Sequence, residues 1–230
     1  MTKTNPICVA LDTPELPRAL SLAQELHGHV GMMKLGMEFF YAHGIQGYDA
    51  IAATGMPIFL DLKLHDIPNT VAQGLKSLMR LKPAIINIHA SGGLDMMKAA
   101  RDAVSGNTKL IAVTILTSLS NDNIWAAGFD NRHTEHHALN LAQLAHKAGL
   151  DGVVCSPLDL AAIRKDLPRE FLTVVPGIRP ADAAAHDQKR VATPHDAIEA
   201  GADILVIGRA ITGASNPAQA AHDILQSINL

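Results

Sequence analysis

The stretch FLDLKLHDIPNTV, Phe59 to Val71, reads as one β-strand running into one α-helix, and it carries more charge than a buried strand ordinarily holds. In an extended strand alternate residues share a face. Asp61 and Lys63 are therefore expected on one side with α-carbons roughly 6.5 to 7 Å apart, and Leu60, Leu62 and Leu64 on the other. His65 and Asp66 follow just past the strand. Pro68, Asn69 and Thr70 then open a helix whose apolar positions Val71, Leu75, Leu78 and Leu81 approximate helical spacing. A strand end that delivers charges to one spot is where α/β enzymes place their chemistry. A plainer reading is also open, in which Lys63 and Asp61 form a surface ion pair and Asp66 caps the helix.

Working outward, short apolar runs alternate with longer helical stretches along the whole chain, the pattern of parallel βα units. Eight such runs are expected as strands: Ile7 to Asp12, Gly31 to Gly36, Pro57 to Lys63, Ala84 to Ala90, Leu110 to Thr117, Gly152 to Ser156, Leu172 to Gly177 and Ile204 to Gly208. No linker or shift of composition divides them. Eight successive units favour a closed barrel over an open doubly wound sheet, and no G-x-G-x-x-G follows the first strand to mark a dinucleotide site. The expectation is a single (β/α)8 TIM-barrel domain over residues 1–230, slightly short of the roughly 250 residues typical of that fold. Thr193 before Pro194 and Asn216 before Pro217 read as helix caps with proline at the first helical position.

Composition narrows the class. Hydrophobic residues make up 48 % of the 230 positions, enough for a large core. The balance of 19 basic and 22 acidic residues gives −3 with no basic block, which argues against nucleic acid or an anionic membrane as partner and for a small molecule. Cys8 and Cys155 sit within apolar runs and read as buried, reduced thiols. MTKTNP runs directly into ICVALD, and no apolar run reaches the ~18 residues of a membrane span, so a cytoplasmic protein is expected.

The expected C-terminal strand ends are unusually polar. They carry Asp12, Lys34, Asp61 with Lys63, His89, Thr117 with Ser118, Arg179 after Pro176 and Gly177, and Gly208 with Arg209. In a barrel these positions surround one site. Asp12, before Thr13 and Pro14, could equally be a helix cap. Gly208 and Arg209 lead into a short helical turn, where backbone N–H groups and a guanidinium both favour a phosphate dianion. The connection from Arg179 to Thr193 has the length of a lid or binding loop. Of the 12 histidines, His133, His136 and His137 could share a helical face but have no strand-end carboxylate beside them, so a solvated helix start is expected rather than a zinc site. His89 is expected as a hydrogen-bonded core histidine, without chemistry.

The string DLKLHDIPNT closely resembles the signature of the orotidine 5′-phosphate decarboxylase family, a D-x-K-x-x-D segment followed by I-P-N-T. It matches at Asp61, Lys63, Asp66, Ile67, Pro68, Asn69 and Thr70. VALD, MMKLG, NIHASGG, VTILTS, VVPGIRP and VIGRAI extend the likeness over nearly the whole chain, in the family's order. The resemblance implies decarboxylation of orotidine 5′-phosphate to UMP with no cofactor and no metal. It further implies a catalytic array of Lys34, Asp61, Lys63 and Asp66, in which Lys63 donates a proton to C6. Asp12 and Lys34 would meet the ribose, Thr117 the pyrimidine edge, and Gln188, Gly208 and Arg209 the phosphate, with Arg179 and Thr70 also in contact with substrate. A homodimer is implied, with Asp66 and Thr70 reaching the neighbouring site. The D-x-K-x-x-D pattern alone is shared with Mg²⁺-dependent sugar-phosphate lyases of the same superfamily. Those relatives carry an acidic metal ligand on the second strand, where this chain has Lys34. A non-catalytic phosphate-binding barrel is the remaining alternative, but it would have no need of four alternating charges.

Overall fold

The computed structural model describes residues 5–130, 133–179 and 192–228. Strands and helices alternate, with two helices after the fifth strand and two after the eighth. The order is β1 (Ile7–Ala10), α1 (Leu16–Glu25), β2 (Met32–Gly36), α2 (Met37–Ala52), β3 (Ile58–Leu64), α3 (Pro68–Leu78), β4 (Ile85–His89), α4 (Gly93–Ala103) and β5 (Lys109–Val113). It continues through α5 (Asn121–Ala126), α6 (Thr134–Lys147), β6 (Gly152–Val154), α7 (Leu160–Asp166), β7 (Leu172–Val175), α8 (Pro194–Glu199), β8 (Ile204–Ile207), α9 (Arg209–Thr212) and α10 (Pro217–Ser227). The strands are parallel and pair in sequence order, and β8 closes on β1 through Ile7 with Leu205 and Val9 with Ile207. The chain is a (β/α)8 barrel, as expected.

Both faces of each strand are covered, which is why the strands read as continuous apolar runs rather than as alternating ones. On β1, Ile7 and Val9 belong to the layer between strands and helices, while Cys8 and Ala10 point into the barrel with Phe59, Ile85, Ile111, Val174 and Val206. The helices meet the outer layer with residues at helical spacing, such as Ala19, Leu22 and Ala23 on α1 and Val71 and Leu75 on α3. Leu64 faces this layer too, so close to α3 that a Cβ on Gly74 would lie 3.2 Å from its side chain. The expected caps are present: Thr193 Oγ1 accepts from the Asp196 N–H at 3.1 Å and Asn216 Oδ1 from the Gln219 N–H at 2.9 Å. Cys8 and Cys155 are both buried, and neither forms a disulfide.

Several strands stop earlier than expected. β1 ends at Ala10 and β5 at Val113, so Asp12 and Thr117 stand on the loops that follow. The backbone ladder runs one residue further, with the Leu11 N–H donating to the Lys34 carbonyl at 3.0 Å and the Thr114 N–H to the Val154 carbonyl at 3.1 Å, before the chain leaves the sheet. The segment 180–191, with Gln188 in the expected lid, lies outside the described residues.

Candidate active site

Strand β3 supplies the centre of the site, and it does so by departing from regular geometry. Asp61 follows the inward alternation set by Phe59 and is almost wholly buried. Beyond it the register against β4 shifts: Leu60 pairs with Ile86, but Leu64 with Ile88. Four residues of β3 thus advance against two of β4. Lys63 sits in this bulge with φ of 53°, a left-handed conformation that a side chain with a Cβ adopts only when its surroundings hold it there. The strict alternation expected for Asp61 and Lys63 therefore fails past Asp61. The two charges still meet, with Lys63 Nζ 2.6 Å from Asp61 Oδ1.

Asn87 of β4, fully buried, spans the bulge. Its Oδ1 accepts the Lys63 backbone N–H at 2.8 Å, and its Nδ2 donates to Asp61 Oδ1 at 2.7 Å. Nothing in the string NIHASGG marks this asparagine apart from its being a polar residue within an apolar strand. That polarity is the one signal that could have found it.

The second oxygen of Asp61 is taken by Lys34 of β2, whose Nζ lies 3.2 Å from Asp61 Oδ2 and 3.0 Å from Asp12 Oδ1. The result is a chain of alternating charge, Asp12–Lys34–Asp61–Lys63. Burial alone would push the Asp61 carboxyl up, but Lys34 and Lys63, with the hydrogen bonds from Lys63 and Asn87, bring it below the usual carboxylate range. Burial likewise acts to lower Lys34, yet Asp61 and then Asp12 leave it raised. Both members of the buried pair are therefore charged at neutral pH. Unit charges about 3 Å apart attract by ~5 kcal/mol at an effective dielectric of ~20, the same order as the desolvation of the ions. The array thus contributes little net stability, and its presence points to chemistry.

Asp12 is not a helix cap, since α1 begins after Glu15 and the Asp12 carboxylate pairs with Lys34. Gly36, which the sequence offers only as a strand end, leaves room for this pairing. A Cβ there would lie 3.0 Å from both Asp12 Oδ1 and Lys34 Nζ.

The array forms one wall of a cavity of about 500 Å³ at the mouth of the barrel, a size usual for small-molecule sites. Asp12, Lys34, Asp61 and Lys63 line it together with Thr117, Arg179, Gly208 and Arg209, so eight of the expected residues come from six βα units to one space. Phe59, Ile115, Val154 and Pro176 give it apolar walls. Gly208 precedes the short helix α9, and Arg209 is exposed at its start. Arg179 is largely buried, with Nη1 donating to the Ile178 carbonyl at 2.8 Å.

Asp66 and Thr70 are not brought into this cavity. Both are exposed, and Asp66 Oδ1 accepts the N–H of Ile67 at 2.7 Å. The residue that caps α3 is Ile67, without a side-chain bond, so Asp66 is no conventional cap. The solvated helix start expected at His133, His136 and His137 is only partly present. His137 is buried with its ring edge-on to Phe129, and its Nε2 lies 3.2 Å from Asp130 Oδ1, too poorly aligned for a hydrogen bond. His133 Nδ1 is 2.9 Å from Asn121 Nδ2. Among the described residues, no three potential metal ligands gather. His89 is half-buried with its ring tilted against His65, and burial, then His65 and Lys63, hold its pKa down.

Comparison with known proteins points the same way as the cavity. Residues 5–224 match the family described as "Orotidine 5′-phosphate decarboxylase / HUMPS family". Over 221 residues the chain is 51 % identical to the orotidine 5′-phosphate decarboxylase of Erythrobacter litoralis, covering 96 % of this chain and 98 % of that protein. Over 227 residues it is 49 % identical to the protein of that name from Ehrlichia canis, covering 98 % and 99 %. The crystal structure of orotidine 5′-phosphate decarboxylase from Lactobacillus acidophilus superposes with a TM-score of 0.86 at 38 % identity, covering 98 % of this chain and all of that one. Closed barrel, charged mouth and near full-length likeness coincide in one conclusion: this chain belongs to the orotidine 5′-phosphate decarboxylase / HUMPS family.

Proposed function

We propose that this protein decarboxylates orotidine 5′-phosphate to UMP and CO₂ without a cofactor, the last step of de novo pyrimidine biosynthesis. The observation that carries the reading is the Asp12–Lys34–Asp61–Lys63 array on one wall of a cavity whose rim holds Arg179, Gly208 and Arg209. Breaking the bond from C6 to the carboxylate leaves its electron pair on C6, a vinylic carbanion with no electron sink. Fixed charge must stabilise it. Lys63 is the cation beside C6 and gives its Nζ proton to that carbon as CO₂ departs, while Asp61 crowds the carboxylate and holds Lys63 in place. Such an array acts where charge develops and needs little reorganisation during the reaction.

Asp12 and Lys34 take the ribose hydroxyls, Thr117 the pyrimidine edge, and Gly208, Arg209 and Gln188 the phosphate, with Arg179 beside it. Phosphate binding far from C6 is then expressed in the transition state through closure over the substrate. Asp66 completes the catalytic array from a second copy of the chain in a homodimer, and Thr70 follows it across. The exposure of Asp66 and Thr70 and that of Ile67 between them, at 66 %, supports this assignment.

Incubating the protein with orotidine 5′-phosphate, and separately with a hexulose phosphate plus Mg²⁺, distinguishes the two branches of the family. Equimolar UMP and CO₂ from the first alone is expected. Turnover of the sugar phosphate alone would assign the chain to the metal-dependent branch, against which Lys34 argues by placing a cation where a metal ligand is needed.

A further inference from the structure

We propose that Asn87 is a positioning residue for the proposed proton donor, tying the Lys63 backbone and the Asp61 carboxylate into one rigid unit. The inference rests on the decarboxylase reading for its kinetic consequence, but its geometry stands alone. Three hydrogen bonds and the lysine itself close a ring: Asn87 Oδ1 to the Lys63 N–H, along the lysine to Nζ, Nζ to Asp61 Oδ1, and Asp61 Oδ1 to Asn87 Nδ2. Because β3 and β4 fall out of register between Leu60 and Leu64, the Lys63 N–H finds a side-chain acceptor in place of a strand ladder. The amide can take only this orientation. Turned over, it would set NH₂ against an N–H and a carbonyl against a carboxylate.

No smaller or charged side chain does both tasks. Alanine would take this acceptor from the half-buried Lys63 N–H and release Lys63 from its left-handed backbone. Aspartate would keep the acceptor but, when ionised, set a second carboxylate against Asp61. The charged groups facing this position are Asp61 and Lys63 on β3 and Lys34 on β2 beyond them, with His89 two residues along β4; on β5 the paired residue is the apolar Ile111.

The test compares N87A and N87D with wild type. A proton donor displaced by about 1 Å loses on the order of 10²-fold in rate, so N87A should lower kcat by about that factor while KM, set by the remote phosphate contacts, changes less than about threefold. N87D adds a readout that a merely structural role would not move. When protonated, its carboxyl donates to Asp61 and accepts from the Lys63 N–H as the amide does, and beside Asp61 that proton is held more tightly than on an ordinary carboxyl. Its activity relative to wild type should therefore recover as pH falls from about 9 toward about 5, while the N87A ratio stays flat. A kcat for N87A within threefold of wild type, or equal and pH-independent losses in the two variants, overturns the proposal.

A crystal structure of N87A, or of N87D at high pH should N87A fail to fold, decides the geometry whatever substrate the wild type turns over. Lys63 should have left positive φ and its hydrogen bond to Asp61. An unchanged 2.6 Å contact overturns the positioning role even if the decarboxylase reading holds. Loss of that contact with a wild type inert to orotidine 5′-phosphate would overturn only the decarboxylase reading.

Discussion

Lys63 holds its ammonium 2.6 Å from the carboxylate of Asp61 while its own backbone stands at φ of 53°. The charge contact and the strained backbone belong to one feature, since the bulge in β3 is what turns a residue at a strand end toward a carboxylate two positions earlier.

The strain is measurable by comparing K63G with K63A. Both lose the ammonium, so the effect on the charge array is common to them. Glycine adopts positive φ freely whereas alanine does not. K63G should melt about 1–3 °C above K63A by calorimetry, and K63A melting at or above K63G would mean that the bulge imposes no strain.

Asp61 gives a pH dependence whose sign follows from its depressed pKa. A carboxyl bound less tightly to its proton in the folded state stabilises fully above its unfolded value of ~3.9, and that stabilisation disappears as pH falls through the lower folded value. D61N leaves Lys34 buried beside Asp12 alone, so it should be less stable than wild type at pH 7 by about 3 kcal/mol, with the gap narrowing below about pH 4. Urea titrations across that range check it. A gap that stays constant or widens on acidification would contradict the charged state assigned to Asp61.

Much of this site is legible from the chain alone. The barrel is so because strands buried on both faces appear as uninterrupted apolar runs, and charges such as Lys34, Asp61 and Lys63 stand out within them. Asn87 and Gly36 are not legible in this way. The importance of each lies in what a neighbouring strand brings to it: the bulge at Lys63 for the asparagine, the Asp12–Lys34 contact for the glycine. The left-handed backbone of Lys63 has no sequence mark either, because lysine is not a residue that favours it. His137 appeared polar by composition and is buried by the packing of Phe129, a contact over eight residues that helical spacing does not reveal.

Proton donor and phosphate ligand should separate kinetically. K63A is expected to abolish turnover while leaving binding of UMP within about tenfold, since protonation follows binding. R209A should weaken affinity and turnover together if the proposed phosphate contact is expressed in the transition state. Titration calorimetry with UMP alongside steady-state rates tests the division. Small and equal effects of the two changes would contradict it.

The proposed intersubunit role of Asp66 is open to complementation. If it serves the partner's Lys63, the K63A and D66A homodimers are each nearly dead, while a hybrid dimer contains one site with both defects and one with neither. Random reassortment on co-refolding makes half the dimers hybrid, so roughly a quarter of wild-type activity should return. No recovery, with subunit exchange verified by mass spectrometry, would place Asp66 at work within its own chain.

The central claim is that fixed side-chain charge alone carries the decarboxylation, and the most direct measurement is turnover by metal-free protein. The chain is dialysed against EDTA, given orotidine 5′-phosphate, and UMP and CO₂ are quantified over time. With Lys34 and Lys63 supplying the positive charge, the two products should form in equal amounts at a rate unchanged from untreated protein. Turnover that vanishes with the chelator and returns with Mg²⁺, or substrate left intact in both samples, would contradict it.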